Sequence, residues 1–260
     1  MKDYLSLLLI FLYLNVFSQG TDREFDSIFY QIASTSVANP NKSLHLADSI
    51  FIHSTSEKRK LKSLMLSAVI LEKQDKRVEG IEYALRALKI AEELEEYSSI
   101  ARIYGFLGTQ SRFVGFYDEG KNYIQKGIEV ASKMQDKNQV ERYVAMANHE
   151  LAEYAIEEGD YKKALEYLEL SMFSYRKIED EAQRNFILAG ALALKGRCLL
   201  GLKENQQALE AFQEAKNYIQ NSGTNNTIYE AVIFHGLGEM HLIQKDLDSA
   251  YFYLQEAKRI

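Results

Sequence analysis

Residues 158–168 read EGDYKKALEYL, and this short stretch decides the fold of the 260-residue chain. Gly159 separates two runs of good helix formers, and glycine just past a helix end readily takes the left-handed conformation that caps the helix. After this break, Tyr161, Ala164 and Leu168 follow at intervals of three and four residues, which is helical spacing. The stretch therefore predicts two helices joined by a tight turn.

The same arrangement recurs along the chain around a small residue that returns at nearly constant intervals. The steps between successive small residues are 40, 44, 44 and 42 residues. A fixed period in this range indicates stacked helix–turn–helix units, each of which buries its apolar face against its neighbours. The small residues, called ladder residues below, are Ala68, Gly108, Ala152, Gly196 and Gly238.

A packing role explains why the ladder residues are small. We expect each of them to lie where the two helices of one unit cross, because a larger side chain would force the backbones apart. A second small residue would face it from the following helix, as Gly120 would face Gly108 and Ala164 would face Ala152. The large side chains expected to fill the remaining space include Tyr123, Leu168, Phe212 and Leu254.

The composition agrees with a long run of helices. Only one proline occurs in 260 residues, 47% of the residues are hydrophobic and 26% are charged. These fractions of hydrophobic and charged residues are typical of a folded globular chain. The low proline content agrees with helices, because helix interiors exclude proline. A formal net charge of −6 disfavours non-specific binding to nucleic acid or to an anionic membrane, which needs a basic face.

These patterns predict an all-α fold, a right-handed α-solenoid of about six helix–turn–helix repeats that follows an N-terminal signal peptide. Asn39-Pro40 is expected to form the turn of the first, degenerate pair, so that its second helix begins at Lys42. The expected segments are a signal peptide at 1–20 and a solenoid at 21–260, with repeats at about 22–56, 58–96, 98–136, 139–178, 180–222 and 226–260.

The first twenty residues differ from the rest in kind. An apolar run extends from Leu5 to Phe17 and is followed by Ser18 and Gly20, which suit the small-residue positions of a cleavage site. The run is too short to span a bilayer comfortably and has the length of a secretory apolar region. We predict an exported bacterial protein, periplasmic or extracellular, without a membrane span after signal removal. An uncleaved anchor is the alternative.

The repeats resemble the tetratricopeptide repeat (TPR), in its long-period bacterial form. Residues 158–168 are nearly the family consensus, and Leu107-Gly108 with the later Gly115, Tyr117 and Gly120 follow the same pattern. The period of 40–44 residues exceeds the family value of about 34, and the proline that ends the family repeat is absent. The resemblance covers about residues 24–260 and implies a concave groove that holds a peptide or protein partner.

The repeat register predicts which residues line this groove. Its N-terminal half is basic and the later repeats are mixed to acidic. We hypothesise that Arg102 and Arg112 together bind an acidic side chain of the peptide. The predicted partner-binding residues are Lys62, Met65, Lys73, Arg102, Arg112, Phe113, His149, Glu153, Arg197, His235 and Glu239.

No constellation in the sequence points to catalysis, a metal or a cofactor. His149 and Glu153, like His235 and Glu239, stand one helical turn apart, but neither pair has the third ligand of a catalytic zinc site. We interpret them as intrahelical hydrogen-bonded pairs on the binding surface. Phosphate loops, nucleophile elbows and dinucleotide fingerprints are missing. The single cysteine, Cys198, is expected to be buried and inert, so we expect no enzymatic activity.

Two functions fit these observations. The first is an exported, non-enzymatic scaffold whose groove binds a peptide or protein. The second is the exported sensor portion of a membrane-anchored regulator with TPR repeats, whose further part would be a DNA-binding domain or a histidine kinase. The sequence stops inside the last predicted helix, which would leave Leu254 and Ala257 without a following partner. Self-association through this uncapped repeat is therefore a further expectation.

Overall fold

The computed structural model of the protein describes residues 22–224 and 228–260, and in this part of the chain every regular element is an α-helix. The predicted signal peptide at 1–20 lies outside the described residues. The helices are α1 (Asp22–Thr35), α2 (Pro40–His53), α3 (Glu57–Lys73), α4 (Arg77–Glu93), α5 (Tyr97–Phe113), α6 (Tyr117–Ala131), α7 (Lys137–Glu157), α8 (Tyr161–Tyr175), α9 (Glu181–Gly201), α10 (Asn205–Asn221), α11 (Ile228–Ile243) and α12 (Leu247–Arg259).

The chain divides into two compact units, one ending at Gln135 and the other beginning at Asp136. Unit 1 contains α1–α6 and unit 2 contains α7–α12. Within each unit consecutive helices pack on each other, most extensively within the pairs that the ladder predicts. Unit 1 has two apolar core clusters and unit 2 has one. The prediction of an all-α fold built from helix–turn–helix repeats is confirmed.

Several helix boundaries differ from the sequence-based expectation, among them the start of α2 and the end of α8. Helix α2 begins at Pro40, with Asn39 as the N-cap, so the proline starts the helix instead of forming the turn. Proline suits this first position, because its backbone angle is already helical and the N–H it lacks would have no intrahelical partner. Helix α8 ends at Tyr175, three residues before the expected Ile178, whose backbone N–H closes a final turn onto the Tyr175 carbonyl at 3.1 Å.

Each ladder glycine makes room for one side chain from the second helix of its repeat. A Cβ atom built on Gly108 would overlap Cδ1 of Ile124, and one built on Gly196 would lie 2.7 Å from Cε1 of Phe212. The inserted side chain stands sixteen residues after the ladder residue in both repeats. The close crossing of paired helices that the sequence predicts therefore depends on this insertion.

The structure corrects one of the expected core positions. Ile124, not Tyr123, fills the space at the crossing, and Tyr123 is half-buried with its hydroxyl donating to the Glu119 carboxylate at 2.9 Å. Leu254 lies in the core space expected for it, because its Cγ would lie 2.7 Å from a Cβ on Gly238 of its own repeat. Leu254 thus occupies the same inserted position as Ile124 does in its repeat.

One residue with a left-handed backbone forms the turn inside each of five repeats, always seven residues after the ladder residue. Glycine serves at Gly115 and Gly159, with φ of 84° and 79°. The other three repeats use Asp75, Lys203 and Lys245, with φ of 59°, 65° and 62°. A side chain costs roughly 1–2 kcal/mol in this conformation. The packing of the helix pair therefore enforces the left-handed conformation at this turn even where the residue is not glycine.

Cys198 belongs to the core of unit 2. Its side chain is fully buried and the thiol is free. Burial raises the pKa of the thiol to about 12. Because the thiolate is the reactive form, Cys198 is an inert core residue, as the sequence predicts.

The left-handed turns give a test of backbone strain. Lys203→Gly is expected to stabilise the protein by about 1 kcal/mol, because it removes the steric cost of a side chain at positive φ. Gly159→Ala is expected to destabilise it by about 1 kcal/mol. No atom lies within 4 Å of a Cβ at Gly159, so the cost there is conformational alone. Urea unfolding measures both changes.

A lysine inside a helix is the matched control for this test. Lys162→Gly in α8 is expected to lower the free energy of unfolding by about 1 kcal/mol, because glycine is a poor helix former. The explanation by backbone strain is wrong if Lys203→Gly destabilises the protein as Lys162→Gly does.

The buried thiol gives a second test. In the native protein at about pH 8, Cys198 is expected to stay unmodified by an aromatic disulfide reagent and to react rapidly after denaturation. Arg197→Cys in a Cys198→Ala background is the control, because it places a thiol at the exposed neighbouring position. Similar reaction rates for the two folded proteins would contradict the burial of Cys198.

Candidate functional site

The predicted site residues on α3 contact the first helix pair. The Lys62 ammonium lies 2.7 Å from the Asp26 carboxylate on α1. Lys73 donates to the Ser36 hydroxyl, just beyond α1, at 3.4 Å. Met65 is half-buried and packs against the core of unit 1. These side chains therefore take part in holding the first repeat on the second.

The structure separates Arg102 from Arg112 on α5. The two residues are ten positions apart, which is about 15 Å along the helix axis. Arg102 is exposed, and its Nε donates to the Ser98 carbonyl at 3.3 Å. Arg112 is only 7% exposed, and its guanidinium lies 4.5 Å from the ring centre of Phe113. One peptide carboxylate cannot reach both arginines, which corrects the hypothesis of a joint grip.

Arg77 on α4 joins Phe113 in a contact that sequence reasoning missed. Its guanidinium lies 4.2 Å from the ring centre of Phe113, within range of a cation–π interaction. The same guanidinium donates to Gln110 at 2.9 Å and pairs with the turn residue Asp75 at 3.0 Å. The repeat register predicts groove residues on first helices only, whereas Arg77 begins a second helix. This contact was therefore not predicted.

In unit 2, predicted residues from neighbouring first helices come together. Nη1 of Arg197 on α9 lies 3.9 Å from Oε2 of Glu153 on α7. The ring of His149 lies 6.1 Å from the ring of Tyr175 on α8. His149 and Glu153 therefore each contact another helix, whereas the sequence predicts only that they pair with each other within one helix.

The second predicted pair, His235 and Glu239, lies on α11. The distance from Nδ1 to Oε2 is 3.7 Å, and both side chains are well exposed. This is a contact at ion-pair distance when the imidazole is protonated, and it is too long for a hydrogen bond. The pair exists at the predicted place, but not as the predicted hydrogen bond.

Tyr229 on α11 is a site residue that the sequence did not reveal. Its ring packs on Gly190 of α9, where a Cβ would lie 2.7 Å from Cζ of the tyrosine. Its ring centre also lies 5.1 Å from that of Phe186. A signal for this contact was present, because Gly190 is a helical glycine that the ladder does not explain.

Carboxylates and phenols influence each other at this point of unit 2. The pKa of Tyr229 is raised by burial and then by the charges of Glu153 and Glu150. The pKa of Tyr175 is likewise raised, mainly by burial, with Tyr229 and Glu150 adding to the shift. Both phenols therefore stay protonated and can donate hydrogen bonds. The tyrosine–carboxylate cluster is defined as Glu150, Glu153, Tyr175, Arg197 and Tyr229.

A cavity of about 360 Å³ lies between the start of α7, the end of α8 and the start of α9. Tyr175 lines this cavity and also belongs to the tyrosine–carboxylate cluster, and its hydroxyl donates to the Ala145 carbonyl at 3.3 Å. The exposed Met146 adds apolar surface. Glu141 and Lys177 form an ion pair at the edge, and this contact lowers the pKa of Glu141. The cavity thus combines an apolar lining with charged side chains.

The described residues contain no group of three side chains that could hold a metal ion. Within 22–224 and 228–260, no helix is both long enough and apolar enough to cross a bilayer.

No family model matches the sequence, and no curated protein matches it. Solved structures match it in fold. BtubC from P. vanneervenii aligns with a TM-score of 0.65 and 17% identity, over 87% of this chain and 90% of that one. NprR in complex with its cognate peptide NprX aligns with a TM-score of 0.67 and 15% identity, over 97% of this chain and 73% of that one.

The TPR-like repeats of a putative kinesin light chain from Podosopora anserina align with a TM-score of 0.56 and 16% identity. This match covers 79% of the present chain and 96% of the other. At such identities the similarity shows the fold alone. It agrees with the pattern of ladder residues, and the chain has the fold of the TPR-like helical repeat proteins.

Proposed function

We propose that the protein is a non-enzymatic scaffold that binds a peptide or protein segment on the first helices of unit 2. The observation that carries this proposal is the tyrosine–carboxylate cluster, where Arg197 on α9 lies 3.9 Å from Glu153 on α7 and the charges of the carboxylates add to the raised pKa values of Tyr175 and Tyr229. Such groups offer donors and acceptors to a bound peptide. NprR, which has the same fold, is bound to a peptide in its solved structure, and this supports the same use of the fold here.

The charges of the cluster favour a basic peptide side chain. Glu153 stands beside the guanidinium of Arg197, and Glu150 is the second carboxylate of the cluster. Burial raises the pKa of Tyr229, and the negative charges of both carboxylates raise it further. A lysine or arginine of the peptide would be attracted to this point. An adjacent apolar side chain of the same peptide would fit the cavity beside Tyr175.

The predicted binding residues enter this proposal in two groups. Among those of unit 2, Glu153 and Arg197 belong to the cluster, His149 contacts Tyr175, and His235 and Glu239 lie on the same helix as Tyr229. Those of unit 1 are proposed as part of a second, separate binding surface, on which the exposed Arg102 and Phe113 are the accessible anchors. The unit 2 contacts are His149, Glu153, Arg197, His235 and Glu239, and the unit 1 residues are Lys62, Met65, Lys73, Arg102, Arg112 and Phe113.

We also propose that the protein is exported, which the apolar run from Leu5 to Phe17 supports. The alternative role, the sensor portion of a membrane-anchored regulator, uses the same binding surface to detect its ligand. The gene sequence distinguishes the two roles. A further in-frame segment of about 20 apolar residues after Ile260 supports the sensor, and a stop codon supports the scaffold.

Peptide selection tests the binding function. A random peptide library panned on the whole protein is expected to yield peptides that carry a basic residue. Glu150→Gln with Glu153→Gln is expected to weaken their binding at least about tenfold, because charge-assisted contacts are lost. Fluorescence anisotropy with a labelled selected peptide measures the change. Added salt is expected to weaken the binding of the wild type more than that of the variant.

The matched control carries the same chemical change on a second helix. Glu210 and Glu214 are exposed on α10, and the double change to glutamine there is expected to leave peptide binding unaltered. Equal losses in both variants would contradict the proposed site. A selection that enriches no peptide for the wild type would contradict the function itself.

A further inference from the structure

The outward face of α12 carries an exposed aromatic patch. Phe252 is 57% exposed, and its neighbours Tyr251 and Leu247 are 68% and 67% exposed. The rings of Phe252 and Tyr253 meet edge to face with centres 5.2 Å apart, which gives the patch a defined shape. Helix α12 buries only Ala250 fully, and its exposed apolar side chains are Leu247, Tyr251 and Phe252.

The repeat register shows that Phe252 is an exception. It stands fourteen residues after its ladder residue, and the four equivalent residues are polar and exposed: Asn122 and the three glutamates Glu82, Glu166 and Glu210. Those three glutamates lie on α4, α8 and α10, each of which is followed by another helix of its own unit. By comparison with these helices, a further helix packed after α12 would leave the side chain of Phe252 exposed to solvent. Burying it requires a partner that approaches from outside the stack.

We propose that this face of α12 binds the same face of a second copy of the chain, in an antiparallel pair with two-fold symmetry. The residues of the contact follow one another at steps of four, three and four positions, so they form a single stripe along the helix. A two-fold axis between positions 253 and 254 sets Phe252 of one copy against Gln255 of the other, with Tyr251 beside them. The stripe consists of Asp248, Phe252, Gln255 and Arg259.

Charge complementarity identifies a second copy as the occupant. Helix α12 is acidic in its first turn, at Asp248, and basic in its last turn, at Lys258 and Arg259. Antiparallel copies bring opposite charges together at both ends, whereas parallel copies bring like charges together. The opposed helix dipoles favour the same arrangement. Arg259 is held in its own helix by Glu256, at 3.2 and 3.0 Å, which positions the guanidinium at this end of the stripe.

Light scattering of the whole chain tests this inference independently of peptide binding. The mass of the wild type is expected to rise from one chain to two over roughly a hundredfold range of protein concentration. Phe252→Glu introduces the residue that three other second helices carry at this position, so the variant is expected to fold and to remain a single chain. Gln213→Glu, at the position on α10 that corresponds to Gln255, is expected to dimerise as the wild type does.

Charge reversal tests the antiparallel geometry. Asp248→Arg and Arg259→Asp are each expected to weaken self-association, because each brings like charges together in the homodimer. A mixture of these two variants is expected to form heterodimers, since every charge at the contact then meets its opposite. Loss of folding would not recover on mixing, so the mixture separates a specific contact from simple destabilisation.

Three results would overturn the proposal. The wild type would remain a single chain at every concentration, or Phe252→Glu would dimerise as the wild type does, or the mixture of charge variants would fail to pair. The first two results would remove the interface, and the third would remove its antiparallel arrangement.

Discussion

The close crossing of the two helices in a repeat is the constraint on which the rest of the structure depends. At Gly108 and Gly196 there is no room for a Cβ atom, because the side chain sixteen residues later already occupies that space. The close approach of the two helix backbones and the insertion of this side chain therefore depend on each other. A larger ladder residue would have to displace the buried side chain or separate the helices, at a cost of about 1–3 kcal/mol.

Phe212 extends this constraint from one repeat to the next. Its fully buried ring would be 2.7 Å from a Cβ on Gly196 of α9 and would overlap a Cβ on Gly236 of α11. The ring therefore fixes the spacing of two first helices as well as the crossing within its own pair. The distance between first helices determines which of their side chains meet. Core packing in this way positions the charged groups of the tyrosine–carboxylate cluster.

The fold could be read from the sequence because its signals are local and repeated. The period, the glycine breaks and the lack of proline each depend on a few neighbouring residues. The site was harder, because its contacts join separate helices. The Tyr229 contact with Gly190 and the burial of Arg112 depend on how neighbouring helices pack. Ile124 occupies the core position that the repeat pattern predicts for Tyr123. An error of one position matters, because it turns the side chain by about 100° around the helix.

Helix α12 illustrates how the position of a helix in a repeat array affects its motion. In such arrays each repeat is stabilised by its neighbours, and α12 packs on α11. Among the described helices, α12 is held mainly from one side, by α11, and a helix held in this way opens at a lower free energy than the global unfolding of the unit. Its backbone amides should exchange with solvent ahead of those of α9, which lies between α8, α10 and α11. Binding at the outward face of α12 would slow this exchange, so that protein concentration itself would regulate the local dynamics of the last repeat.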